Sequence, residues 1–494
     1  MIRVLLVGVW GWLLLLVSAQ AHVGNPFVVF EGRAGTYPVR VVVRQPEVVP
    51  GLAEINVRVL QGTPSSVQVL PIHYRTDRSG APRPDVAELV AGETNLYTAS
   101  LWLMTRGAYG IEVGVEGPGG GQVLVPVNSQ AMARQPMPRG LALVLGVLGA
   151  GLVVGVFGIA VAAARESTLA DGQRPGTRQT LRAVGAALVA SLAVGGALYG
   201  GWIWWGNEDR HHVSRVLYRQ TAHTVTIAPG DASQLRLELT DERQRDSAYR
   251  LIPDHGKLVH LFLVDAGTTQ SIPAFAHLHP QAQGNRTFFA TLPPLPAGTY
   301  RVFTELAHEA GFTQTLTNSV SLPEPKGGTD RRDPDDSWSA STEATEGMIS
   351  LGAGLTLNLL PDRRVAGRET TLRVRVQQAD GTPAPLEPFL RMLGHAVVQR
   401  EEGSVFAHLH PSGNLSMAAT RNFARKMDGD AGALAADVNC GDLSAVPPEL
   451  ARALGRDGEV SFPFVFPKPG RYFVWIQVKV GGQIRTAPLE VDVE

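Results

Sequence analysis

The sequence predicts a mainly β protein: three immunoglobulin-like β-sandwich domains, with a two-helix transmembrane hairpin between the first and the second. Three observations carry this. Short Val-rich runs, several alternating apolar with polar residues, are separated by turns drawn from 54 Gly and 34 Pro. Two apolar stretches, Leu141–Ala164 and Ala183–Trp205, each exceed the roughly 20 residues that a helix needs to cross hydrocarbon. The hexapeptide FAHLHP occurs twice, at Phe275–Pro280 and Phe406–Pro411, inside units that share further features.

Residues 1–21 read as a secretory signal peptide. Arg3 precedes the apolar run VLLVGVWGWLLLLV, and Ala19-Gln20-Ala21 offers an A-x-A cleavage site. Cleavage there would make His22 the first residue, and a free α-amine beside an imidazole is a bidentate copper chelate. Residues 22–138 form the first sandwich, with strands in YPVRVVVRQP, AEINVRVL, SVQVLPIHYR and AYGIEVGVEG.

The membrane helices are expected at 139–164 and 183–205. Trp202, Trp204 and Trp205 cluster at one end, where an interfacial belt belongs. Many Gly and Ala residues suit close packing of the two helices. The loop at 165–182 carries Arg165, Arg174, Arg178 and Arg182 against only Glu166 and Asp171, which places it in the cytoplasm and both flanking regions outside. The expected location is the bacterial inner membrane, with the sandwiches on the periplasmic side.

The second sandwich is expected at 206–325, a flexible linker at 326–347 and the third sandwich at 348–494. The linker reading rests on polarity and few apolar residues. In both later sandwiches a strand containing one histidine (His260, His395) precedes FAHLHP, and a Gly-x-Tyr follows (Gly298/Tyr300, Gly470/Tyr472). The first sandwich repeats the last feature as Gly107/Tyr109. The third copy carries an insertion at about Ala419–Asp457, in which NFARKM and PPELARALG read as helices.

Composition narrows the function. A net charge of −1 gives no reason to expect nucleic acid as a partner. The single cysteine, Cys440, excludes an internal disulfide. No nucleophile–base arrangement, phosphate loop or spaced acid pair is evident, so an enzyme is not expected.

The histidines carry the chemistry. Side chains at i and i+2 of a strand share a face, so His277 projects with His279, and His408 with His410. A neighbouring strand can add His260 to the first pair and His395 to the second, giving one metal site in each sandwich. His255, Asp254 and His308 are further candidates in the second domain; Met392, Met417 and Cys440 are soft ones in the third. Three imidazoles suit copper or zinc, with copper favoured; thioether or thiolate would shift preference toward Cu(I). The opposing reading is that the histidines are buried, neutral and separately hydrogen-bonded, since Phe275 and Phe406 share their face. Geometry discriminates: nitrogens of His260, His277 and His279 within about 4 Å of one another favour a ligand set, because Zn–N and Cu–N bonds are near 2 Å. His211 and His212 are expected to be solvated.

The units HGKLVHLFLV, FAHLHP, LPAGTYRVF and GHAVVQREEGSVFAHLHP, together with His22 and the RGAYGIEVGV ending of the first sandwich, resemble bacterial exported immunoglobulin-like domains of the YtkA and CopC kind. That resemblance implies periplasmic copper handling. The first segment departs from the CopC pattern, having only His73 beyond His22 and no Met-rich run. The architecture also resembles FixH-like proteins, which pair a membrane helix with such a domain. The expected function is a membrane-anchored periplasmic metal-binding protein for copper capture, delivery or sensing. The alternative is a non-catalytic structural or assembly protein whose sandwiches hold partner envelope proteins.

Overall fold

The computed structural model describes residues 25–132, 137–170, 172–215, 217–241, 250–267, 271–324, 332–343 and 348–494. The expected signal peptide and His22 lie outside the described residues. Two compact units result: Ala131–Tyr218 forms one, and the residues before and after it form the other.

The smaller unit is a pair of helices, Arg139–Glu166 and Thr177–Arg215. Both are long and apolar enough to cross a membrane, with mean hydropathy 2.5 and 1.8 over their most apolar windows. Their apolar side chains point outward; Leu152 is 71% exposed and Leu192 78%. A helix that is apolar all round suits a membrane span or the core of a larger assembly. The helices touch each other, but their glycines do not make that contact. A Cβ on Gly146, Gly149, Gly155, Gly195 or Gly196 would meet no atom within 4 Å. The buried small residues are Ala183 and Ala190, two turns apart on one stripe. The second helix also continues past its apolar segment, through the exposed His211 and His212, to Arg215.

The larger unit contains three antiparallel sandwiches. In the first, one sheet runs in the order Phe27–Ala34, Tyr37–Arg44, Gly51–Val59, Leu96–Leu103 and Glu88–Leu89. The facing sheet runs Asp85–Val86, Ser66–His73, Gly107–Glu116 and Gly121–Ser129. Strict alternation drives the fold: Ala53, Ile55 and Val57 go inward against Val67, Val69 and Ile111, while Leu52 and Glu54 stay out.

The second sandwich pairs His223–Ala228, Asp231–Leu239, Thr287–Thr291 and Gln281–Ala282 in its outer sheet. Its inner sheet runs Leu251–Ile252, Gly298–His308, His260–Asp265, Phe275–Leu278 and Ser337–Ser339, with Thr313–Leu322 also paired to Gly298–His308. The third has Met348–Gly352, Leu355–Leu359, Glu369–Gln377 and Glu459–Val465 outside, and Phe406–Leu409, Gly394–Arg400, Gly470–Val480 and Gln483–Val493 inside. The recurring tyrosines are corner devices: Tyr300 donates to the Pro296 carbonyl (2.9 Å) and Tyr472 to the Lys468 carbonyl (2.7 Å), each four residues back.

The expected linker is partly built into the fold. Within it, Ser337–Ser339 adds a strand to the edge of the second sandwich, with His277 opposite Ser337 and Phe275 opposite Ser339. An open edge of unpaired backbone groups outweighs the low local hydrophobicity, since pairing needs backbone rather than apolar side chains. The insertion in the third sandwich is helical as expected, over Met417–Asn439 and Pro448–Leu454. Ser416 caps the first helix, and Gly429 breaks it with φ 67°.

The two inner sheets are buried on both faces. Leu261, Leu263, Ala276 and Leu278 enter the core of their own sandwich. Phe262, Val264, Phe275 and Phe303 point the other way and form one apolar cluster with Val397, Phe406, Phe473 and Trp475 of the third sandwich. Double burial is why LVHLFLVD and VFAHL read as continuous apolar runs. The contact has approximate two-fold symmetry. Phe406 stacks on Phe303 with centroids 4.1 Å apart and planes 11° apart, and its counterpart Phe275 stacks on Trp475 at 4.6 Å and 12°. Fully burying each such ring is worth about 1.5–3 kcal/mol, and the ring pairing roughly 0.5–1.5 kcal/mol more.

The first sandwich docks beside this interface. The turn after the second FAHLHP bonds to its edge strand, with Glu31 N donating to the Ser412 carbonyl (2.8 Å) and Asn414 bridging Val29 and Phe27. Gly413 is required there: φ is 120°, and a Cβ would stand 1.9 Å from the Val29 carbonyl.

Candidate metal centre

Strand alternation sends His260, His277, His395 and His408 into the face where the sandwiches meet, together with Phe262 and Phe406. Of the two expected sets, the one in the second sandwich, His260 with His277 and His279, comes together as expected, while the one in the third takes a different membership. Seven imidazoles, His255, His260, His277, His279, His395, His408 and His410, make one continuous buried layer with neighbouring ring centroids 4.3–6.4 Å apart. Each is at most 5% exposed. The symmetry of the interface puts both copies on a single surface, which no feature within either copy dictates.

Two three-histidine groups stand out in this layer. In the first, His260, His277 and His279, the ligand atoms lie within 4.8 Å of one another. One pair, His260 Nδ1 and His277 Nε2, is 3.1 Å apart, inside the 4 Å expected of a ligand set, while the bound on the distances to His279 is 4.8 Å. Partners on the far side of each ring set the protons. His260 Nε2 faces the Asp254 carbonyl at 3.1 Å, which only accepts, so the proton is there and Nδ1 carries a lone pair. His277 Nδ1 donates to Gln477 Oε1 of the third sandwich at 3.0 Å, and Gln477 Nε2 is held by Ser337 Oγ. His279 Nδ1 donates to Asp336 Oδ1 at 3.0 Å, and the same oxygen accepts the His279 backbone N–H at 2.8 Å. His279 Nε2 is buried with no hydrogen-bond partner. Three lone pairs thus converge, two of them face to face at hydrogen-bond distance with no proton assigned between them. A shared cation relieves that repulsion, and outer partners that hold each ring are the usual support of metal-binding histidines.

The second group is His255, His395 and His410, with ligand atoms again within 4.8 Å. It differs from the expected set, in which His255 belonged with the second sandwich and His408 completed the third. His255 sits at a turn, Asp254–Lys257, with φ 49°, and its ring reaches to 4.3 Å from His410 and 5.3 Å from His395. His410 Nδ1 donates to the Leu415 carbonyl (3.2 Å). His408 lies between the groups, with its Nδ1 donating to Glu305 Oε2 of the second sandwich at 3.0 Å.

Burial, reinforced by neighbouring imidazoles, holds His255, His277, His279, His395 and His410 well below the ordinary imidazole value of 6.5, and His260 at about 4. These rings are neutral at pH 7, the form that ligates a metal. Burial pushes the Asp336 carboxyl up to about 7, so its bond to His279 joins a neutral imidazole to a carboxyl group rather than two full charges. A third convergence of ligand atoms, His279 with Asp333 and Asp336, already has a cation beside it: Lys257 Nζ is 2.6 Å from Asp333 and 2.9 Å from Asp335.

The soft candidates fall elsewhere. Met392, Met417 and Cys440 pack into the apolar cluster of the first sandwich, and burial raises the Cys440 thiol to about 12, leaving it an inert thiol. His308 is buried against Phe312 (5.6 Å) and belongs to neither group. Three supporting residues escaped the sequence reading. Glu305 and Gln477 are polar residues interrupting the apolar strands RVFTELAH and FVWIQV, a signal available in the sequence. Asp336, in a segment read as linker, carried no such signal.

The fold defines a β-sandwich protein with a membrane-anchor-like helical hairpin and a buried histidine layer between two sandwiches. The chain belongs to the family described as "Domain of unknown function (DUF8832)", whose model matches residues 215–322 and 350–494. The matched residues cover both histidine-bearing sandwiches. No curated protein matches the chain. Among solved structures it is similar to invasin, a bacterial integrin-binding protein, at 9% identity and TM-score 0.14 over 95% of this chain and 60% of that one. It is also similar to latent PorU from Porphyromonas gingivalis, at 7% identity and TM-score 0.14 over 95% and 34% of the two chains. The ICAM-5 D1–D4 ectodomain fragment is a third, at 10% identity and TM-score 0.14 over 94% and 84%. The chain thus spans about 60% of the invasin chain and about a third of PorU.

Proposed function

We infer that this is a membrane-anchored metal-binding protein of the bacterial envelope, which holds copper, with zinc the next choice, for capture, delivery or sensing. The observation that carries the reading is the convergence of the His260, His277 and His279 lone pairs, with each ring's other nitrogen bonded to Asp254, Gln477 or Asp336. Imidazoles without sulfur suit Cu(II) or Zn(II), and the exclusion of Met392, Met417 and Cys440 from the site removes the argument for Cu(I). The arginines of the loop between the helices support a periplasmic position for the sandwiches. The resemblance to YtkA and CopC-like domains supports copper over zinc.

The test is metal binding by the full chain purified in detergent. Equilibrium dialysis should show bound Cu(II) or Zn(II) at micromolar metal, reduced by joint replacement of His277 and His279 with Ala. No bound metal at that concentration overturns the reading. One observation favours the alternative, a scaffold for partner proteins: Leu52 and Trp102, opposite each other in register on the first sandwich, are 51% and 57% exposed.

A further inference from the structure

The second histidine group is not a symmetric copy of the first. The turn Asp254–Lys257 has a counterpart at Phe389–Met392, where the same backbone places Leu390 at φ 43° in the position of His255. Both copies therefore use the left-handed conformation, and only the second sandwich puts an imidazole on it. That imidazole crosses the interface and joins His395 and His410 of the third sandwich. His410 Nε2, and both ring nitrogens of His255 and His395, are buried without hydrogen-bond partners. Five buried polar atoms unsatisfied in one place are costly, about 1–3 kcal/mol each. A common ligand that accepts one lone pair from each of the three rings offsets that cost for three of them. His408 Nε2 is also unpartnered, and its ring lies 5.2 Å from His277, 5.4 Å from both His260 and His395, and 4.6 Å from His410.

We propose that the chain holds a second divalent ion of the same borderline class on His255, His395 and His410, assembled from both sandwiches, with His408 standing between the two ions. This rests on the reading of His260, His277 and His279 as a metal site. It adds that the two sites form one two-ion centre, which exists only when the sandwiches are docked. The second ion binds more weakly, by about 10–100-fold, because His395 has no outer partner to orient it and His255 has only the Leu390 backbone and the Asp254 carboxylate, 3.7 Å from its Nε2, beside it.

The experiment uses the full chain in detergent, titrated with Cu(II), with bound metal counted by mass spectrometry after desalting. Wild type should hold two ions, His255→Leu one, and His277→Ala one. Leu is the residue the protein already carries at the equivalent turn, so the fold should persist; circular dichroism checks this, and His410→Gln gives the same count by a second route. Low-temperature electron paramagnetic resonance should show spin coupling in the wild type that His255→Leu abolishes. One ion in wild type, or two in folded His255→Leu and His410→Gln, overturns the proposal. If a single ion is lost on His277→Ala but not on His255→Leu, the first site stands and only the second falls. No ion at all removes both.

Discussion

Glu305 and Gln477 occupy the same register position in the two sandwiches, opposite His260 and His395 respectively, and each reaches across the interface to the other sandwich's HLH pair. Glu305 accepts from His408 and Gln477 from His277, both at 3.0 Å. Each sandwich therefore orients one histidine that its neighbour contributes.

Replacing Gln477 with Leu should leave His277 free to change tautomer. Metal affinity of the first group should fall about 10–100-fold, measured by competition with a chelator. Gln477→Glu, which restores the Glu305-like acceptor, should recover most of it.

The aromatic stacks hold the interface. Phe406→Ala should destabilise the protein by about 3–5 kcal/mol in denaturant unfolding, because it removes the ring stacked on Phe303. Trp475, stacked on Phe275, should report the loss of docking as a fluorescence shift.

Asp336→Ala should act on a strand and on a ligand together. It leaves the His279 backbone N–H and Nδ1–H without their acceptor, at about 1–3 kcal/mol for a buried donor. Proteolysis within 332–343 should rise, and metal affinity should fall with it.

The histidine layer gives the metal-free protein a definite pH dependence. His260 falls from the ordinary 6.5 to about 4 in the folded state, with burial the main cause. The unfolded chain therefore binds protons first as pH drops. The stability associated with the neutral ring is fully present above about 6.5 and is lost as pH falls toward 4. Thermal melts of chelator-treated protein should show this decline, and bound Cu(II) or Zn(II) should raise the melting temperature at every pH in that window. Metal uptake should persist near pH 5.5, where exposed histidines are largely protonated.

Much of this was legible in the sequence. Strand alternation, turn residues and a repeated hexapeptide determined the sandwiches, and length with hydropathy determined the two helices. The i, i+2 spacing determined that His277 and His279 share a face, because the pleat leaves no other choice. Which face that would be, and what would cover it, depended on residues far away. Phe275 and Phe406 read as core, and they are core, but of the contact between two sandwiches rather than of either one. His255 joined His395 and His410 only through that docking, and Asp336 reached His279 only because an open sheet edge captured a polar segment. Local periodicity is written in neighbouring residues. The partners of a buried face are chosen by shape and burial across more than a hundred residues of chain, and only the tertiary structure decided them.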